Sequence, residues 1–278
     1  MTGCLRLPNL ISRHGRAVSE FKPIHKSSDA VRVLQVTDPH LFAQPDGSLR
    51  GTNTRLTLQA VLDHITEAAW PADLVALTGD LIQDDTRGAY VRVRDMLALF
   101  DIPVHCVPGN HDVRSLMQDV LRPARFHYCE AAIFQDWLVV GLDSCIEGQA
   151  RGKVAKGELA RLSALLAATK ARHVLVCLHH PPLPVGSRWL DSVGLNNGVE
   201  LLDLLAASGK VRAAIFGHVH QAYSGEYAGM RIIGTPSTCR QFSVNSDDFS
   251  LDDNPPAYRR LELHADGTVD SKLIWVEY

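Results

Sequence analysis

Five short clusters of Asp, Asn and His each follow a predicted strand, and this arrangement constrains the chain more than any other feature. Thr37-Asp38-Pro39-His40 comes after residues 31–36, Gly79-Asp80 after 74–77, and Gly109-Asn110-His111-Asp112 after 104–107. His179-His180-Pro181 closes 174–178, and Gly217-His218-Val219-His220 closes 213–216. Helical periodicity separates them, over 55–70 (Leu58, Val61, Leu62 and Ile65 on one face), 89–100, 158–168 and 199–207. Further strands are predicted at 137–142, 231–233, 260–264 and 272–276, the last two flanking the hairpin signal Ala265-Asp266-Gly267-Thr268. Alternating strands and helices predict an α/β chain with a mainly parallel central sheet, helices on both sides and an antiparallel edge. Open α/β sheets bind ligands beyond the carboxyl ends of their strands, so the five clusters are expected to converge on one site.

The 28 basic and 31 acidic side chains leave a formal charge of -3, which removes the domain-wide positive footprint that nucleic-acid binding would need. Hydrophobic residues at 46% are enough for a substantial core. No apolar run reaches the roughly 18–20 residues of a spanning helix. The first 30 residues also lack the apolar core, about 7–15 residues long, of a secretory signal. They read as a mobile arm, and residues 31–278 as a single domain. Cys4, Cys106, Cys129, Cys145, Cys177 and Cys239 show no C-x-x-C spacing, so free thiols in a reducing cytoplasm are expected.

Taken singly, the clusters are ambiguous. Asp-x-His and Gly-Asp are compatible with ordinary turn chemistry. Gly-Asn-His-Asp says more, because three polar residues in a tight turn have little packing use. In combination they supply oxygen and imidazole ligands suited to Mn, Fe, Co or Zn. The imidazole share argues against an all-oxygen calcium or magnesium cage. Asp80, central in the series, is the natural carboxylate to bridge two cations. Two divalent ions, two carboxylates and one hydroxide leave a core of about +1, a charge that favours an anionic phosphate ester.

Asp-x-His, Gly-Asp, Gly-Asn-His-Asp, His-His-Pro and Gly-His-x-His in this order resemble the signature of the calcineurin-like metallophosphoesterases. Residues 37–43, Asn53-Thr54, 178–184, 187–191, 235–239 and 261–267 further resemble the bacterial class III 3',5'-cyclic-nucleotide phosphodiesterases. The resemblance spans nearly all of 31–278 and leaves the arm outside. It implies a layered α/β/β/α sandwich with a mixed central sheet. It also implies two transition-metal ions, iron or manganese with cobalt or zinc as alternatives. The first would be held by Asp38, His40, Asp80 and His220, the second by Asp80, Asn110, His179 and His218. The implied reaction is hydrolysis of cyclic AMP to 5'-AMP, with His40, Asp80, Asn110, His111 and His220 touching the substrate.

His111, next to Asn110, is the candidate acid for the leaving oxygen, a role that contributes on the order of 10²–10⁴ in rate. Asp112 either orients that ring or caps the following helix. His180 lines the pocket, braces His179 or faces solvent. Arg188, Trp189, Asn196 and Asn197 either frame the nucleoside or pack a loop. His105 and His173 read as structural, and Cys239 as packing. A related enzyme acting on a glycerophosphodiester, a phosphomonoester or a phospholipid precursor shares every ligand, so the motifs alone do not separate it. A non-catalytic scaffold on the same fold predicts missing ligands, and none of the seven is missing. The sequence leaves open whether the chain forms a homodimer.

Overall fold

Neighbouring residues of the central strands point into different hydrophobic cores, and that division stacks the chain into layers. In the computed structural model, which describes residues 18–21, 30–122 and 125–278, the strand Ala30–Val36 sends Val31 and Val33 one way and Leu34 and Val36 the other. Leu74–Leu77 divides likewise, with Leu74 and Ala76 against Val75 and Leu77. His173–Cys177 and Val211–Phe216 do the same in the second half of the chain. A strand with two apolar faces must be covered on both.

The cover differs by face. Val31, Val33, Leu74 and Ala76 meet Trp137, Val139, Leu175, Cys177, Ala213 and Ile215 in one cluster, so two sheets pack face to face. Leu34, Val36, Val75 and Leu77 pack instead on the helices Thr54–Glu67, Arg87–Met96 and Arg114–Val120. Val174, Val176, Ala214 and Phe216 pack on Lys156–Ala168 and Gly198–Ala207. The result is the α/β/β/α sandwich. Each fully buried Leu in these layers contributes about 1.5–3 kcal/mol.

One sheet has six strands in the order Val269–Trp275, Ala257–His264, Ala30–Val36, Leu74–Leu77, Val104–Cys106, Phe126–Tyr128. The first two strands are antiparallel, and the remaining four run parallel to one another. The other sheet has seven, ordered Val18–Phe21, Ala131–Phe134, Trp137–Gly141, His173–Cys177, Val211–Phe216, Met230–Gly234, Tyr223–Tyr227. Alternation alone predicts one central sheet. The structure corrects this to a facing pair, both mixed. Ala257–His264, near the end of the chain, pairs with Ala30–Val36, so the extremes of residues 30–278 share a sheet.

The arm also differs in part from its sequence reading, since Val18–Phe21 is a strand pairing parallel with Ala131–Phe134. The rest of residues 1–29 lies outside the described residues. Among the described residues no helix is long and apolar enough to cross a membrane.

Helix starts follow local chemistry. Asn53 caps Thr54–Glu67 by accepting from the Leu56 N–H at 3.0 Å, and Thr86 caps Arg87–Met96 by accepting from Ala89 at 3.2 Å. The first helix buries Leu58, Val61, Leu62 and Ile65, the face predicted from periodicity.

Candidate metal centre

All five clusters sit just past the carboxyl ends of Ala30–Val36, Leu74–Leu77, Val104–Cys106, His173–Cys177 and Val211–Phe216. Since the two sheets pack face to face, these ends meet. Asp38, His40, Asp80, His179, His218 and His220 are buried, and Asn110 is half-buried at the edge. His220 Nε2 is 3.1 Å from His40 Nε2 and 3.5 Å from Asp38 Oδ1, and His40 Nε2 is 3.8 Å from Asp80 Oδ2. On the other side of Asp80, His179 Nε2 lies 3.4 Å from Asp80 Oδ1, 3.3 Å from Asn110 Oδ1 and 3.2 Å from His218 Nδ1. All seven predicted residues come together, with Asp80 between two groups of donors.

The backbone is strained to achieve this. Asp38, His40, Asp80, His218 and His220 all have positive φ, between 45° and 68°. That region is uncommon for any residue but glycine, and non-glycine residues held there cluster at functional sites. Two glycines in the motifs make room. A Cβ on Gly109 would overlap both the carboxylate and the backbone nitrogen of Asp80, and one on Gly217 would overlap Thr37 Oγ1 and the Asp38 carboxylate.

Hydrogen bonds behind the cluster fix which nitrogen of each ring faces inward. His40 Nδ1 lies 2.8 Å from Gln83 Oε1, His220 Nδ1 2.6 Å from the Arg240 carbonyl, and His179 Nδ1 2.8 Å from the Thr78 carbonyl. A carbonyl oxygen only accepts, so Nδ1 carries a proton in each ring and Nε2 is the nitrogen left facing the site. His40 and His220 thus present these two nitrogens to each other across 3.1 Å. Two carboxylates and an amide oxygen face the same space. An arrangement of acceptors alone fits cations, and oxygen with imidazole suits transition metals.

Charge follows the same geometry. Burial alone would raise the Asp38 carboxyl, but the neighbouring His220 and His179 hold it below its ordinary value. Against the same burial, His179, His111 and His40 hold Asp80 well below. Burial lowers His40 to about 4 and His218 far below its ordinary value. Against its burial, Asp80 and Asp38 raise His179 to about 9, so its Nε2 gives up a proton when a cation takes that position. Ionised carboxylates beside largely neutral imidazoles form a cation-binding set.

His180 takes no part in this set. Its Nδ1 accepts from Ser144 Oγ at 2.8 Å and its Nε2 donates to the Ala150 carbonyl at 3.1 Å, so both nitrogens are spent and it braces the loop behind His179. For Asp112 the structure removes the helix-cap alternative. This residue is predicted to orient His111 or to cap the next helix, yet helix Arg114–Val120 has no side-chain cap. Its carboxylate instead accepts from the Leu81 N–H at 3.1 Å, the Gly109 N–H at 2.9 Å and the Tyr90 hydroxyl at 2.9 Å. A short acceptor flanked by two turns and a tyrosine ties the Gly-Asp loop to the Gly-Asn-His-Asp loop. His111 donates its backbone N–H to Asp80 Oδ1 at 2.8 Å, and its ring stands edge-on to His40 with centroids 5.0 Å apart. It is half-buried at the mouth of the cluster.

Asn197 packs a loop, its amide bonding both the N–H and the carbonyl of Val154 at 3.0 Å. Arg188 pairs with Asp247 at 3.3 Å. His173 bonds the Ala265 carbonyl and accepts from Arg212, as a structural histidine would. Burial pushes the Cys239 thiol up to about 12, in line with packing. No disulfide joins the described cysteines, and Cys4 lies outside the described residues.

Gln83, the Arg240 carbonyl and Ser237, whose hydroxyl donates to the Asp38 carbonyl at 2.7 Å, go unrecognised from sequence. Ser237 falls within the quoted 235–239 segment, but nothing there announces its role.

A model of the calcineurin-like phosphoesterase family matches residues 31–222. The chain is 40% identical over 244 residues to the 3',5'-cyclic adenosine monophosphate phosphodiesterase CpdA of Escherichia coli (strain K12), covering 87% of this chain and 89% of that protein. It is 35% identical over 248 residues to the protein of the same name from Pseudomonas aeruginosa, covering 89% and 91%. Among solved structures, a dimetal phosphatase from Danio rerio aligns with 89% of this chain and 99% of its own at a TM-score of 0.59. At 17% identity that likeness bears on the fold alone.

Proposed function

The chain belongs to the calcineurin-like phosphoesterases, and from that premise we propose that it hydrolyses 3',5'-cyclic AMP to 5'-AMP. Likeness to proteins named cyclic AMP phosphodiesterases over nearly nine-tenths of both chains carries the choice of substrate. The buried acceptor cluster supports the choice of chemistry.

In this reading Asp38, His40, Asp80 and His220 hold one divalent cation, and Asp80, Asn110, His179 and His218 hold a second. Iron or manganese is the expected occupant, given the mix of oxygen and imidazole donors. When bound, such a pair neutralises phosphate charge and lowers the pKa of water. The chain's own residues contribute position and protons. Gln83, the Thr78 carbonyl and the Arg240 carbonyl keep three imidazoles in one tautomer and one orientation. Thr37 Oγ1, at 2.6 Å, and the His218 N–H, at 3.1 Å, hold the Asp38 carboxylate in place.

His40, Asp80, Asn110, His111 and His220 border the space where the phosphate would lie. Cleavage of the cyclic ester releases a ribose 3'-alkoxide, a poor leaving group that needs a proton. His111, at the mouth and outside the two ligand sets, donates it. Asp112 positions His111 indirectly, by fastening the loop that carries it to the Asp80 loop. Cysteines that form no disulfide among the described residues suit a cytoplasmic setting.

The test is kcat/KM on cyclic AMP beside a glycerophosphodiester and an aryl phosphodiester. Cyclic AMP should be the best of the three, with 5'-AMP as product. Cyclic AMP as the poorest substrate contradicts the assignment.

A further inference from the structure

Beside the cluster, a run of aromatic rings leads from His220 to solvent. Phe242 stacks flat on the His220 ring, with centroids 4.3 Å apart and planes 11° apart. Trp189 meets Phe242 edge-on at 5.1 Å, and Phe249 meets Phe242 at 5.5 Å and Trp189 at 5.4 Å. The three rings brace one another in the edge-to-face geometry that aromatic pairs prefer. Phe249, the outermost, is 43% exposed. The Arg50 guanidinium lies over it, 4.1 Å from the ring centroid. Arg50 is exposed and makes no ion pair among the described residues.

The segment carrying these rings is fastened to the site. The Phe242 N–H donates to the His220 carbonyl at 3.2 Å, and Gln221 Nε2 donates to the Ser243 carbonyl at 2.8 Å. Gln241–Phe242 and Leu251–Asp252 pair antiparallel, so residues 241–252 form a small hairpin that carries both Phe242 and Phe249. Any shift of this hairpin is felt at His220.

We propose that Phe249 and Arg50 form the nucleobase subsite of the phosphodiesterase. This rests on the cyclic AMP reading and deepens it. A purine offers a π-face, and aromatic rings and guanidinium planes are the side chains that bind such faces. The path from His220 to Phe249 is two ring contacts long, 4.3 and 5.5 Å between centroids, which leaves it within reach of a nucleoside whose phosphate is seated at His40, His220 and Asp80. The base stacks on the ring face that Arg50 covers, and the guanidinium moves outward by about one stacking distance, ~3.5 Å, to lie over the base. Trp189 and Phe242 hold the Phe249 ring in its pose. The exposed guanidinium keeps a cation–π contact in the complex, with the purine in place of the phenyl ring.

The experiment compares cyclic AMP with the 3',5'-cyclic phosphate of methyl riboside, the same cyclic diester without an aromatic group, in the full-length metal-loaded enzyme. Loss of an aromatic stacking partner reduces base binding by on the order of tenfold. In Phe249→Ala the ratio of kcat/KM for cyclic AMP to that for the base-free cyclic diester should fall by about that factor, carried by KM. Phe249→Trp should hold the ratio at or above wild type, and Arg50→Ala should lower it by about threefold. A ratio in Phe249→Ala within about twofold of wild type overturns the subsite, as does a loss carried by kcat alone, which would mark the hairpin as support for His220. Wild-type enzyme that cleaves an aryl phosphodiester and spares cyclic AMP contradicts the functional reading and the subsite together. Wild-type turnover of cyclic AMP with an unaffected Phe249→Ala ratio contradicts the subsite alone.

Discussion

The donor cluster and the aromatic rim lie side by side, share His220 and are built differently. In the cluster every side chain but Asn110 is buried, most of the backbone is in the left-handed region, and three of the four imidazoles are oriented by a hydrogen bond behind them. At the rim the backbone is a short hairpin, and its outermost ring and cation face water. Groups that must hold charge at fixed separation need a stiff surround, because a small misplacement costs them their partners. A stacking surface is less demanding, since a π-face accepts a partner over a range of positions.

If this contrast is right, substitutions in the cluster act on chemistry and folding, and those at the rim act on substrate choice. The largest effect is expected from Asp80→Asn, which weakens the one carboxylate shared by both ligand sets. Its kcat/KM for cyclic AMP should fall by on the order of a thousandfold or more. A fall of less than tenfold would remove Asp80 from the centre of the account.

His111→Ala should lower kcat by on the order of 10²–10³ while both ions stay bound. Elemental analysis showing that the variant has lost an ion would make His111 a ligand. Asp112→Ala strands the Leu81 and Gly109 N–H groups and the Tyr90 hydroxyl. A stability loss of about 2–3 kcal/mol in denaturant melts is expected. An unchanged midpoint would mean that the tie between the two loops is dispensable.

The smallest effect concerns the scaffold outside both regions. Burial, with a lesser part from His127, lowers His105 to about 3. Between pH 6.5 and about 3 the unfolded chain therefore binds a proton that the fold refuses. The unfolded state holds more protons in that window, so stability rises with pH and is lost on acidification. His105→Gln should make the fall in melting temperature shallower over the accessible part of that window. A slope identical to wild type would assign the acid sensitivity elsewhere.

Much of this molecule is legible in the sequence, for reasons that can be named. Strand ends carrying Asp, Asn and His disclose a site because such residues have little packing use there, and all seven meet. The pairing of two sheets is hidden: 31–36 and 174–178 are both apolar on both faces, and periodicity does not say which face meets a helix and which a sheet. Tyr223–Tyr227 goes unpredicted because, as an edge strand, it is half polar and carries Gly225. Gln83 and Ser237 act through single hydrogen bonds whose partners are far away in the chain. Asp112 misleads because proximity to His111 suggests a partnership, whereas the turn aims its carboxylate at Leu81 and Gly109. Phe249 is invisible, since an exposed phenylalanine in a polar loop has no periodicity to betray it.

The central claim is that the acceptor cluster takes up two cations. It is tested most directly by calorimetric titration of Mn(II) into chelator-treated protein, with Asp80→Asn beside it. The account predicts two equivalents bound per chain, and weakened uptake at both sites in the variant. One equivalent or none in the unaltered protein, or two at undiminished affinity in Asp80→Asn, would contradict it.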